Sequence, residues 1–161
     1  MRADLSWLPP LVLLPDYGGD WGKYLEAIYE FFRQDFVASA PSHGGRRVVL
    51  KRHPVADGKE ATFWHLISEG KVEADRLPDL RRCERIRWPR PIIEAVLHGR
   101  VRCWKNRRGH ESRVVIAVED FSYIVVLAER KAYVVLWTAY CLEREHSRQK
   151  MQKEYEEATK S

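Results

Sequence analysis

A chain of 161 residues, 45% hydrophobic and 32% charged, is long enough to close around one core and too apolar to stay disordered. Its net charge of +5 permits a polyanionic partner without requiring one. The apolar run Leu11–Leu14 is bracketed by prolines and too short for a secretion signal or a membrane span, so a cytoplasmic protein with no membrane partner is expected.

The first clear element is a helix in GGDWGKYLEAIYEFFRQDF. Asp20 stands at its cap, and Trp21, Leu25, Ile28, Phe32 and Phe36 recur at helical spacing. ASAPSHGG, residues 38–45, reads as a loop, RRVVLKR as a strand, and ATFWHLISEG as a short helix closed by Gly70. Asp79 can start a further helical turn, and PRPIIEAVLHG is a helix entered by prolines and left at Gly99. From Val101 four strand-like runs, VRCWKNR, SRVVIAV, SYIVVLAE and YVVLWTAYC, follow one another across short connections, which predicts an antiparallel meander. A polar helix begins near Leu142, with Lys150–Glu154 and Lys153–Glu157 pairs at i,i+4 spacing. The expected fold is α+β and a single domain. N-terminal helices pack on a curved, mainly antiparallel sheet of four to five strands, followed by a C-terminal helix. Residues 1–45 form the N-terminal extension, 46–141 the core and 142–161 the last helix.

The last strand raises a question. Residues i and i+2 of a strand share a face, so Val134, Leu136, Thr138 and Tyr140 are expected to point one way, and Val135, Trp137, Ala139 and Cys141 the other. One face would then change from aliphatic to hydroxyl-bearing where the strand ends.

Two groups of cationic residues are interleaved with tryptophan. Arg81, Arg82, Arg85, Arg87 and Arg90 surround Trp88, and Arg100, Arg102, Lys105, Arg107, Arg108 and Arg113 surround Trp104. Guanidinium forks match phosphate oxygens and indole faces can stack on bases, although a solvated basic face over buried aromatics explains the same pattern. His65 lies on the short helix and His53 at a strand end beside Lys51 and Arg52. Cys83, Cys103 and Cys141 form no CxxC pair, and no zinc spacing joins them to a histidine. No cofactor or metal is expected. Phosphate-binding glycine loops, nucleophile elbows and clustered acidic residues are absent from the sequence. Nuclease chemistry without a metal points to RNA, whose own 2′-hydroxyl supplies the nucleophile. Such chemistry needs a base, an acid and cations at the phosphorane.

YIVVLAERKAYVVLWTAYCLEREHSRQKMQKEYE, with TFWHLISEG and RCERIRWPRP upstream, resembles the phage- and toxin-associated branch of the barnase–EndoU–colicin–RelE (BECR) nuclease superfamily. The resemblance spans roughly residues 46–156. It implies a metal-independent endoribonuclease of the toxin or phage-effector type, with RNA as substrate and an antitoxin or immunity protein as partner. It also implies catalytic roles for His65, His53, Arg85, Thr138 and Tyr140. Arg81, Arg82, Arg87, Trp88, Arg90, Lys105 and Arg113 would then bind substrate. The competing expectations are a non-catalytic nucleic-acid-binding module and a protein-interaction module of the same fold.

Overall fold

The computed structural model describes residues 4–70 and 75–160. Helix α1 (Trp21–Phe36) begins where Asp20 Oδ1 accepts the Lys23 N–H at 3.1 Å, and it buries Tyr24, Ile28, Phe32 and Phe36. That row starts at Tyr24 rather than at Trp21, which is 37% exposed. Tyr24 can enter the core because its hydroxyl donates to the Val12 carbonyl at 2.8 Å, so no buried polar group is left unmade.

The expected loop at residues 38–45 contains a tight hairpin. Strands β1 (Ser42–His43) and β2 (Arg46–Val49) pair antiparallel across Gly44 and Gly45, whose φ values of 57° and 79° only glycine adopts without cost. Helix α2 (Ala61–Ile67) stops before Gly70, because Ser68 and Glu69 form β3 and pair with β4 (Leu77–Pro78). Asp79 caps helix α3 (Leu80–Glu84), accepting the Arg81 N–H at 2.9 Å. Helix α4 (Pro89–Ala95) runs into a 3-10 turn that ends at Gly99 in the left-handed region.

The predicted meander is present as β5 (Arg102–Arg108), β6 (Glu111–Ala117), β7 (Tyr123–Glu129) and β8 (Tyr133–Cys141). The sheet has six strands rather than four or five, in the order β1-β2-β8-β7-β6-β5. The extra strands come from the glycine hairpin, whose β2 pairs parallel to β8 over Val49↔Val135 and the two preceding positions. Beyond Val135, among the described residues, no strand lies beside that edge of β8, and α2 and α3 pack against the strand. One face of the sheet joins α1, α2 and α4 in the main core around Phe32, Phe63, Ile92 and Leu127. The other carries a smaller cluster under α5 (Glu145–Ala158), where Trp104 meets Tyr155 at 5.5 Å and its indole N–H donates to Glu154 at 2.8 Å.

A β-bulge in β8 corrects the expected facing of Thr138 and Tyr140. Leu136 pairs with Leu127 but Thr138 with Val126, so Trp137 is an extra residue. The face occupied by Val134 and Leu136 therefore continues as Ala139 and Cys141, all within or against the main core. Thr138 and Tyr140 pair with Val126 and Ile124 on the opposite face. No single face changes from aliphatic to hydroxyl-bearing; the strand changes phase. Among the described residues no helix is long and apolar enough to cross a membrane.

Candidate functional site

Side chains from four elements meet around the phase-shifted end of β8. Arg82, from α3, lies with its guanidinium carbon 5.7 Å from the Tyr140 ring centroid, and its Nη1 donates to Thr138 Oγ1 at 3.4 Å. Arg113, from β6, lies 5.1 Å over the Trp137 ring. Trp137 is in turn 6.2 Å from the imidazole of His65, on α2. A narrow cavity of about 20 Å³ lies among Lys51, Thr62, His65, Leu136 and Trp137, enough for a water molecule. The bulge makes this meeting possible, since it turns Tyr140 away from the main core and against the smaller cluster, where it feels the charges of Arg108 and Arg113.

Arg82 is fixed from behind. Its Nη1 donates to the carbonyls of Ser68 at 2.6 Å and His65 at 3.3 Å, and Arg76 Nη2 donates to the same two oxygens at 2.6 and 3.2 Å. Two guanidinium groups thus satisfy carbonyls at the end of α2, where the helix dipole favours positive charge. The turn that carries His65 is held by the same arginine that contacts Thr138 and Tyr140.

The electrostatics are cationic. Burial pushes the Tyr140 phenol above its ordinary value, while the positive charges of Arg108, Arg82 and Arg113 pull it down and Glu154 adds to the rise. The net effect is upward, so the hydroxyl is protonated at neutral pH and can donate. Among the described residues no hydrogen bond engages that hydroxyl, and no hydrogen bond or ion pair engages the Arg113 guanidinium.

Five residues singled out from sequence therefore share one face: His65, Thr138, Tyr140, Arg82 and Arg113. The others lie elsewhere. His53 is in an exposed loop. Arg85 lies 5.1 Å over Trp88 and, with Arg81 and Trp88, lines a different cavity. Arg87 sits 4.7 Å over Phe31. Arg90 donates to the Asp35 carbonyl at 2.6 Å and to Ser39 Oγ at 2.8 Å, satisfying the end of α1. The Trp88 indole N–H donates to the Pro9 carbonyl at 2.9 Å, which anchors the N-terminal segment. Lys105 pairs with Glu129 at 3.2 Å. The reason is geometric: Arg81 and Arg85, one helical turn apart, share one side of α3, and Arg82 leaves on another.

Sequence reasoning missed Trp137, Arg108 and Lys51 as members of this face. Trp137 carried one usable signal, a large aromatic among aliphatic strand residues directly before Thr138. Among the described residues no group of three or more histidine, cysteine, aspartate or glutamate side chains is arranged to hold a metal ion. Comparison of the chain with protein-family models, with curated proteins and with solved structures finds no match to any of them.

Proposed function

We propose that the protein is a metal-independent endoribonuclease acting on the cationic face of β8, in keeping with the BECR-like features of its sequence. The observation that supports this reading best is the convergence of His65, Trp137, Arg113, Arg82, Thr138 and Tyr140 from four elements. In the reaction the ribose 2′-oxygen attacks the adjacent phosphorus and the bond from phosphorus to the 5′-oxygen breaks. The products are a 2′,3′-cyclic phosphate and a 5′-hydroxyl. His65 removes the 2′-hydroxyl proton, a task suited to imidazole near neutral pH. Lys51, on the same small cavity, returns a proton to the departing 5′-oxygen. Arg113 and Arg108 offset charge on the phosphorane, taking the role first expected of Arg85 and Arg87, and Tyr140 donates to a phosphate oxygen. Arg82 positions Thr138 and Tyr140, and Trp137 offers a ring against which a base can pack.

The test is cleavage of mixed RNA in excess EDTA. Wild-type protein should cut, and His65→Ala should lose roughly 10²–10⁴-fold in rate, the usual contribution of a general acid–base group. Intact RNA, or cleavage only with a divalent ion, would refute the mechanism. A second reading, a nucleic-acid-binding module without catalysis, draws on the position of His53, which among the described residues leaves His65 as the one histidine on this face. It predicts salt-sensitive RNA binding with no product at any pH.

A further inference from the structure

The face around Tyr140 leaves a second concentration of arginine unused. Arg81 and Arg85, four residues apart, leave α3 on a different side from Arg82 and line a cavity of about 430 Å³. Arg148 of α5 completes it, with Ser122, Trp88 and Cys141 on the remaining walls. Its volume is within the range of small-molecule sites and is far more than a bare inorganic ion fills.

The charges are only partly neutralised. Arg81 pairs with Glu143 at 2.6 Å, and both side chains are more than half exposed. Arg85 has Glu84 at 3.7 Å and uses Nη1 on the Arg81 carbonyl at 3.1 Å. Arg148 uses Nε on the Leu142 carbonyl at 2.7 Å, and among the described residues no carboxylate pairs with it. Three arginines thus line the cavity with one glutamate. Forked guanidinium donors of this kind match the paired non-bridging oxygens of a phosphodiester. Cys141, on the cavity wall, follows Tyr140 but faces the other side of the sheet, and Arg81 and Arg82 of α3 reach one site each. The two sites therefore lie on either side of the end of β8, and a strand reaches both by passing round that end.

We propose that this cavity holds a second phosphodiester of the nucleic-acid strand that lies on the Tyr140 face. Only the identity of that strand as an RNA substrate rests on the ribonuclease reading. The pocket adds affinity for long strands and takes no part in bond breaking.

The experiment uses an all-2′-deoxy oligonucleotide of about ten residues, which cannot undergo 2′-hydroxyl attack, with binding followed by fluorescence anisotropy across a salt series. Arg85→Gln combined with Arg148→Gln should weaken binding about fivefold or more and lower the slope of log K against log salt by roughly 0.7, one single-strand phosphate. Ser122→Asp retains every arginine and adds a negative charge to the cavity. It should weaken binding similarly, and it keeps the test decisive if losing the Arg148 contact loosens α5. Parental binding by Ser122→Asp and by the folded double variant would overturn the inference. So would titration showing that inorganic phosphate binds and the oligonucleotide does not. RNA cleavage separates this inference from the ribonuclease reading. Weakened binding by the pocket variants of a protein that cuts no RNA supports the pocket and removes the reaction. Cleavage by wild type, with parental oligonucleotide binding in the pocket variants, leaves the reaction and removes the pocket.

Discussion

The Tyr140 ring is fixed by its neighbours while its hydroxyl is not. Arg82 lies over the ring and the smaller core cluster packs against it, but among the described residues no hydrogen bond engages the oxygen. Tyr140→Phe keeps the ring and removes only the proposed donor. A donor used in the transition state is typically worth about 10²-fold in rate, whereas removing one partly buried hydroxyl that has no hydrogen-bond partner changes stability by about 1 kcal/mol or less. RNA cleavage by Tyr140→Phe should fall by at least about tenfold with an almost unchanged Tm. Cleavage at the parental rate would remove the hydroxyl from the mechanism. At this scale the sequence was informative about chemistry but not about aim. Thr138 and Tyr140 were legible as hydroxyls sharing a face, because i and i+2 on a strand always do. Arg85 and Arg90 were legible only as cations. Whether a guanidinium meets a phosphate, an indole or a helix-end carbonyl depends on neighbours distant in sequence.

The bulge at Trp137 decides what β8 presents to each side. Local alternation revealed the strand, and its antiparallel partner β7 was legible from the short connection. The inserted residue was not, because a bulge is defined by pairing with β7 and leaves no unambiguous mark within β8 itself. Altering it has a definite consequence. Deleting Trp137 would leave Thr138 opposite Val126 and Ala139 opposite Val125 in a regular ladder, so every following side chain keeps its face. The deletion and Trp137→Ala both lose the ring contacts with His65 and Arg113, and should melt close to one another. An alanine inserted between Thr138 and Ala139 is different: a one-residue slip would send Ala139 and Cys141 out and turn Tyr140 into the main core. Burying that hydroxyl without a partner and exposing the apolar side costs several kcal/mol, so the insertion should lower Tm by roughly 10 °C or more, or prevent folding. Thermal melts of the three variants give the comparison. An insertion as stable as the deletion would mean that the facing of Tyr140 is not needed to hold the fold.

Across the whole molecule, one carboxylate on the main-core face joins both halves of the sheet beyond its apolar center. Glu129 of β7 accepts from Arg46 of β2, from Ser112 of β6 at 2.6 Å, and pairs with Lys105 of β5 at 3.2 Å. The antiparallel meander was legible from sequence, but this clasp was not, because its members span residues 46–129 and meet only through the parallel β2–β8 pairing. The Ser112 and Arg46 hydrogen bonds, in that order, hold the Glu129 carboxyl down at about 2, against partial desolvation, with Lys105 adding to the effect. A carboxylate whose folded value lies below its unfolded one binds fewer protons in the folded state, so its stabilisation is complete above the unfolded value near 4.5 and is lost as pH falls through about 2. Glu129→Gln preserves shape and removes the charge. The variant should melt below wild type at pH 7, the gap in Tm should narrow from about pH 4.5 downward, and the two curves should meet near pH 2. Paired melts across that range test this. A gap that stays constant to the acid end would assign the contribution of Glu129 to packing and neutral hydrogen bonds, leaving the strands held together without the charge.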